Sequence, residues 1–271
     1  MTLPFDAASP ARRSRIIPLS EKELARCLPP GISPILRELS GSTNTELSEL
    51  AARGTPEHTL LAAAEQTAGR GTRGRAFFAP AGTGAYFSLL LRPGASDFSA
   101  ARVTAAAAVA AAEACEALFG VDTGIKWVND VYVGSRKAVG ILAEAFSNAG
   151  FYVILGIGAN ISPPEGGFPP ELTNAGAMTL SPPPFSREKY IGETVSRFLS
   201  FQSPENMPRL LEKYRSRSVL TGRRVAVTAS GTEAPYTAEV LGIDDDFRLL
   251  VSRGGKTEKL FYGEVSLNLE N

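Results

Sequence analysis

The sequence predicts an α+β protein in which a mixed, mainly antiparallel sheet is packed with helices and followed by a small C-terminal β-barrel. Three observations lead there. Between Thr123 and Ile161, strand-like runs follow one another with only short turns between them, as antiparallel neighbours allow and βαβ crossovers do not. Ala100 to Phe119 is an alanine-rich run of high helix propensity, with side chains small enough for close packing. Past Thr221 the pattern changes to short β-rich runs separated by Ser-Gly, Asp-Asp and Gly-Gly signals, the spacing of a small barrel.

Taken in order, a short helix is expected over Glu21 to Cys27, stopped by Pro29-Pro30-Gly31. Thr43 or Asn44 can cap a second helix, Glu46 to Arg53, which ends at Gly54 and Pro56. A strand from Thr59 to Ala64 runs into a glycine-rich loop, Gly69 to Gly84, and a further strand, Ala85 to Leu91, stops at Pro93. Asp97 or Ser99 starts the alanine-rich helix and Gly120 ends it. Strands follow at Gly124 to Trp127, Lys137 to Phe146 and Phe151 to Ile157, with turns at Asn129-Asp130 and Asn148-Ala149-Gly150. Pro163, Pro164, Pro169, Pro170 and Pro182 to Pro184 mark a long loop region, and two helices come next, near Arg187 to Phe201 and Met207 to Arg217. The C-terminal runs are Arg224 to Ala229, Tyr236 to Ile243, Arg248 to Ser252 and Glu258 to Tyr262. The expected division is a leader with a short helix (1–34), a main domain (35–220) and a small C-terminal domain (221–271).

At 271 residues, 44% of them hydrophobic, the chain has the material for one large core or a large and a small one. Basic and acidic side chains balance at 28 each, which lacks the electrostatic footprint of a nucleic-acid binder. The longest apolar stretch, Ala100 to Phe119, is broken by Arg102, Glu113 and Glu116 and reads as a packed helix, so no membrane partner is expected. Arg12, Arg13 and Arg15 precede no signal-peptide core. Cys27 and Cys115 lack the close pairing of a zinc site or disulfide framework, and a reducing cytoplasm suits them. The single histidine, His58, excludes any mechanism that needs two and reads as an edge-of-strand residue.

Four segments carry chemistry. Gly69-Arg70-Gly71-Thr72-Arg73-Gly74 matches G-x-G-x-x-G, but Arg75-Ala76-Phe77-Phe78-Ala79-Pro80 is a poor helix opening, and no βαβ unit surrounds it. A P-loop fails as well, because Arg75-Ala76 stands where Lys and Ser or Thr are needed. What remains is arginines interleaved with glycines, a backbone that can fold around an anion while guanidinium forks reach it; alone, it also reads as a solvated surface loop. Ile125-Lys126-Trp127-Val128-Asn129-Asp130 gathers a cation, an aromatic, an amide and a carboxylate at a strand end, where an ordinary Asn-Asp turn is the plain alternative. Arg136 to Glu144 is a strand in which Gly140 offers close approach to a ligand, with Lys137 at its entry. Gly156-Ile157-Gly158-Ala159-Asn160 adds two more glycines and an amide, or marks a simple bulge.

In this order the segments resemble the catalytic core of the biotin protein ligases, which carry a G-R-G-R-x-G-R loop, a K-W-P-N-D strand end, an R-K-x-x-G-I-L-x-E strand and a G-I-G-x-N strand. The resemblance covers residues 35 to 161, and the run ending Tyr262-Gly263-Glu264-Val265-Ser266-Leu267 is similar to the family's small SH3-like domain. It implies a class II synthetase-like catalytic domain. Two departures stand out: Thr72 replaces a usual arginine, which bears on how tightly the intermediate is held, and Val128 replaces the proline of K-W-P-N-D. Members that double as repressors add an N-terminal helix-turn-helix domain, for which the residues before Ser42 leave too little room, so a short form without DNA binding is expected.

The resemblance implies activation of biotin by ATP to biotinyl-5'-AMP, and then transfer to a lysine of a biotin carboxyl carrier protein domain. Ser42, Thr43, Asn44 and Gln66 would hydrogen-bond the biotin head group, whose ureido function needs both donors and acceptors. Arg70, Gly71 and Thr72 would close over the ligand, with Gly140 walling the pocket and Lys137 at the activated carboxyl. Arg70, Arg73, Lys126, Trp127, Asn129 and Asn160 form the implied ATP set, and Arg70, Lys126, Asp130 and Lys137 the catalytic one. Mg2+ would share the phosphate charge, with Asp130 as its candidate ligand. An edge-to-edge homodimer is left open. Lipoate or octanoate ligation, with an apolar acid pocket and a different arginine-glycine motif, is the neighbouring enzyme reading; a non-catalytic biotin-sensing module is the reading from outside enzymology.

Overall fold

The computed structural model describes residues 18–96, 98–181, 185–228, 235–261 and 264–267. The N-terminal arginines, Asp97, Pro182 to Pro184, Ala229, Tyr262 and Gly263 fall outside them. The elements run α1 (Glu21–Cys27), β1 (Ser33–Ser40), α2 (Thr43–Ala52), β2 (Thr59–Gln66), β3 (Gly84–Leu91), α3 (Ala100–Phe119), β4 (Thr123–Lys126), β5 (Asp130–Val133), β6 (Arg136–Phe146), β7 (Tyr152–Asn160), α4 (Arg187–Ser200), α5 (Met207–Ser216), β8 (Arg224–Thr228), β9 (Tyr236–Ile243), β10 (Leu249–Arg253), β11 (Lys256–Leu260) and β12 (Glu264–Leu267).

Seven strands form one sheet in the order β1-β2-β3-β7-β6-β5-β4. All its pairs are antiparallel except β1 with β2. That parallel pair is the βα crossover the strand pattern did not anticipate: β1 carries Pro34 near its start and Arg37-Glu38 in its middle, and both traits belong to an edge strand. Two further boundaries shift. Helix α2 begins at Thr43 with Ser42 at its N-cap, three residues before the expected Glu46. Asp130 opens β5, because the turn occupies residues 127–129.

Alternation along the strands gives the sheet two different faces. On one, Leu60, Phe87, Leu89, Val139, Ile141, Val153 and Leu155 join the main core. It is covered by α3, which packs on β4 to β7 and on α4 and α5; its buried face is mostly alanine, so the helix axis can lie close to the strands. Within that core, burial pushes the Cys115 thiol up to about 12, which leaves it an inert packing group. On the other face Leu61, Leu90, Tyr152 and Ile154 pack under Leu47 and Ala51 of α2. That helix is short and covers only part of the face. Beyond it the side chains shrink to Gly140, Gly156 and Gly158, which are juxtaposed by the pairs Gly140 with Gly158 and Leu142 with Gly156. A floor without side chains, next to a helix N-terminus, is where this fold leaves room for a ligand.

The C-terminal strands form a five-stranded antiparallel sheet, β11-β10-β9-β8-β12. Val225, Val227, Val240, Leu249 and Val251 are continuous with the main core. The junction is made by α5: Arg215 Nε donates to Ile243 O at 2.8 Å, and the Tyr214 ring meets Phe247 edge-on at 5.7 Å.

Candidate active site

A narrow cleft opens on the α2 face. Ser42, Thr43, Asn44, Gln66, Arg70, Gly71, Thr72, Asn129, Lys137 and Gly140 line it, together with Phe77, Ile141, Leu142, Gly156, Ile157 and Gly158.

One end is an amide and hydroxyl cluster. Ser42, Thr43 and Asn44 sit at the start of α2, where side chains lean toward the helix N-terminus and here onto the sheet; all three are buried. Gln66 Oε1 accepts from the Thr43 N–H at 2.8 Å and its hydroxyl at 3.1 Å. Ser88, fully buried on β3, lies 2.6 Å from Asn44 Oδ1 and 2.8 Å from Thr43 Oγ1. The Asn44 amide nitrogen donates to Glu144 Oε2 at 2.9 Å and, at longer range, to Leu142 O at 3.4 Å.

The other end holds cations. Lys137 Nζ lies 2.7 Å from Asp130 Oδ1, and Arg70 Nη2 donates to Glu144 Oε1 at 2.7 Å. The arginine loop folds back on itself: Gly71 N–H donates to Arg75 O at 2.7 Å and Phe77 N–H to Gly69 O at 2.8 Å. A Cβ at Gly69 would stand 2.5 Å from Phe77 O, so only glycine allows the two passes of the loop to touch. Arg73, at its tip, has left-handed backbone (φ 58°) and turns away from the cleft toward Thr228 O of β8, at 3.5 Å. Thr72 lines the cleft and accepts from Arg75 Nη2 at 3.3 Å.

Several expected residues stand outside the lining. Trp127 is buried beneath the C-terminal sheet, its indole N–H donating to Phe247 O at 2.9 Å. The next residue's carbonyl, Val128 O, accepts from the Tyr214 hydroxyl at 3.1 Å; burial, with the Asp130 carboxylate adding to it, holds that phenol well above its ordinary range, so it remains a donor. Lys126 ends β4 opposite Asp130. Asn160 Nδ2 donates to Gly176 O at 3.0 Å. The 127–129 turn still delivers Asn129 to the cleft, where its Nδ2 donates to Ile141 O at 2.9 Å and its carbonyl accepts from Ile141 N–H at 3.0 Å. Trp127→Phe should therefore lower stability by about 1–3 kcal/mol in urea unfolding, since it orphans a buried carbonyl, while changing ligand affinity less.

The proline-rich segment, which had no expected place, docks on the strand ends: Lys137 N–H donates to Asn174 O at 2.8 Å, Gly176 N–H to Lys137 O at 2.9 Å and Met178 N–H to Asn160 O at 3.0 Å. Three site residues had gone unread. Phe77 lies over the glycine floor, where a Cβ on Gly158 would be 2.6 Å from its ring. Ser88 could have been noticed as the one polar residue of an apolar run, Ala85 to Leu91. Glu144 follows Gly140 and Leu142 on one strand face, which signals an inward carboxylate. Among the described residues no group of three His, Cys, Asp or Glu side chains is placed to hold a metal.

The model of the Biotin/lipoate A/B protein ligase family matches residues 37–160. A bifunctional ligase/repressor BirA of Bacillus spizizenii is 34% identical over 245 residues, covering 86% of this chain and 73% of its own. A biotin–[acetyl-CoA-carboxylase] ligase of Mycobacterium tuberculosis is 32% identical over 237 residues, covering 83% and 85%. Among solved structures, the biotin protein ligase from Aquifex aeolicus in complex with biotin and ATP superimposes with a TM-score of 0.72 at 25% identity, over 87% of this chain and 98% of that one.

Proposed function

The chain belongs to the biotin protein ligases of the Biotin/lipoate A/B protein ligase family, and from that premise we propose that it converts biotin and ATP to biotinyl-5'-AMP and pyrophosphate and then passes the biotinyl group to a lysine of a biotin carboxyl carrier protein, releasing AMP. The observation that carries this reading is the polarity of one cleft, with hydroxyls and amides at one end, Arg70 and Lys137 at the other, and a glycine floor between them.

Each end suits one part of the chemistry. A cyclic urea presents two N–H donors and a carbonyl acceptor, and Ser42, Thr43, Asn44 and Gln66 are the groups we assign to it. When the biotin carboxylate attacks the α-phosphate two anions meet, and fixed cations lower the barrier by neutralising the charge that accumulates. We assign that task to Lys137 and Arg70, the two cations of the cleft lining. Mg2+ commonly binds through one or two carboxylates and substrate phosphates; Asp130 offers one such carboxylate, and the ion would screen the phosphate charge. In the second step the acceptor amine must lose a proton, its reference pKa being ~10.4, and Asp130 is the base or orienting group at hand. No covalent enzyme intermediate is required, because the mixed anhydride is already an acyl donor. We divide the chain into a catalytic domain (35–220) and an SH3-like domain (221–271). We place its work in the cytoplasm, where Cys27 and Cys115, both free thiols, stay reduced.

Arginine at position 72 would add a third cation to the cleft wall. Biotinyl-adenylate should therefore escape faster from this enzyme than from a Thr72→Arg variant; equal escape rates in a stopped-flow trap experiment would dismiss the idea.

The test of function is Mg2+-dependent exchange of pyrophosphate into ATP with biotin, lipoate or octanoate. Exchange with biotin alone supports the reading. Exchange driven by lipoate or octanoate would move the enzyme to the other acids of its family, and no exchange with any of them would point to a sensor.

A further inference from the structure

We propose that Glu144 is a positioning residue that ties the two ends of the cleft together, orienting the Asn44 amide for the head group and anchoring Arg70 for the carboxyl end. The proposal rests on the biotin reading of this cleft. Its two oxygens serve two donors that come from separate elements: Oε2 accepts from Asn44 Nδ2 at the start of α2 (2.9 Å), and Oε1 accepts from Arg70 Nη2 in the arginine loop (2.7 Å). Glu144 itself stands on β6, on the strand face that also carries Gly140 and Leu142, a rigid element of the central sheet.

The pairing decides what Asn44 can offer. A side-chain amide can turn over, exchanging donor for acceptor at nearly no steric cost. Here the nitrogen faces a carboxylate, which only accepts, and the oxygen faces Ser88 at 2.6 Å. The amide is thus held with its oxygen toward the Ser88 and Gly156 side, where a Cβ on Gly156 would be 2.0 Å from Oδ1, and its second lone pair is left for a ligand N–H. Asn44 acts as an acceptor because Glu144 makes it one.

The same carboxylate holds the loop. Arg70 has a side chain about half exposed and Glu144 one about one-fifth exposed, and a pair this open adds little to folding. It does restrict where the guanidinium waits, and restricting a side chain beforehand lowers the ordering cost of binding.

Glu144→Gln is the informative variant, because it keeps the shape while replacing one acceptor oxygen with a donor. A neutral amide cannot accept from both Asn44 and Arg70 through separate oxygens, so one contact becomes donor against donor. Biotin affinity, read by calorimetry on the purified chain, should fall roughly 10- to 100-fold, the loss expected of a charge-assisted hydrogen bond. The urea midpoint should fall by no more than the loss of one carboxylate contact explains, and affinity is read on the folded variant. The discriminating readout is coupling: in an Asn44→Ala background Glu144→Gln should weaken biotin binding far less, and in an Arg70→Ala background it should lower the rate of adenylate formation far less, than in the parent. Glu144→Ala, which removes both acceptors, should show the same coupling and stands in if the glutamine variant folds poorly. Parent-like affinity and rate in a folded variant, or equal losses in all backgrounds, would overturn the proposal. A parent enzyme that binds no biotin would instead fail the reading of the cleft itself.

Discussion

Lys137→Ala should slow biotin-dependent pyrophosphate exchange by roughly 10²- to 10³-fold, the cost of deleting one fixed group that stabilises transition-state charge, while biotin binding alone changes much less. The backbone of Lys137 is held independently of its side chain, by Asn174 O and Gly176 N–H, so truncation leaves the strand in place. The ammonium lies 2.7 Å from Asp130 Oδ1, and both side chains are partly exposed; losing that pair costs the fold no more than about 1 kcal/mol. The effect should therefore fall on chemistry. Lys137→Arg is the companion variant. It keeps the charge, but a planar fork on a longer arm cannot occupy the position of a compact ammonium, and we expect an intermediate rate. Exchange by the alanine variant within a few-fold of the parent would remove Lys137 from the mechanism.

Sequence legibility follows from where the information lies. The strands β2, β3, β6 and β7 and the helix α3 were readable because long apolar runs of one period can pack in only one way. Strand β1 was not: it pairs in parallel, through α2, and Pro34, Arg37 and Glu38 hide the alternation that would declare it. Strand β5 lay concealed behind Asn129-Asp130, a pair that reads locally as a turn, because the actual turn starts two residues earlier under the hold of Phe247 and Tyr214. The cleft was legible through motif order, which brings together residues from α2, the arginine loop and β6. Glu144 and Ser88 carry a sequence signal for pointing inward, but their partners lie on other elements and only tertiary pairing supplies those. Trp127 has a second commitment that its neighbours in sequence do not reveal. Beside Lys126 and Asn129 it reads as a ligand contact, yet its indole N–H is spent on the C-terminal sheet. The proline-rich segment grips Lys137 and Asn160 through backbone hydrogen bonds, and composition says nothing about those.

Gly156→Ala should be the most damaging single methyl in the cleft. A Cβ there would stand 2.0 Å from Asn44 Oδ1 and 2.8 Å from its Cγ. A lone amide could swing aside, but this one is tied by Ser88 at 2.6 Å and Glu144 at 2.9 Å, so relief of the clash breaks both contacts. Loss of two hydrogen bonds, one of them to a carboxylate, predicts destabilisation of about 2–4 kcal/mol and a rise in KM for biotin of roughly 10²-fold. Neighbouring glycines supply the comparison. At Gly140 the added carbon meets Lys137 and Phe77 side-chain atoms at 3.1 to 3.2 Å, a squeeze that small side-chain movements relieve, so Gly140→Ala should be milder. The backbone of Gly156 is not left-handed, and the three atoms nearest the added carbon all belong to Asn44, so the clash falls first on that amide. The decisive measurement is then Gly156→Ala in an Asn44→Ala background: with the amide gone the methyl has space, and the double variant should bind biotin no worse than Asn44→Ala alone. Independent, multiplying losses would show that the methyl acts on the cleft by another route.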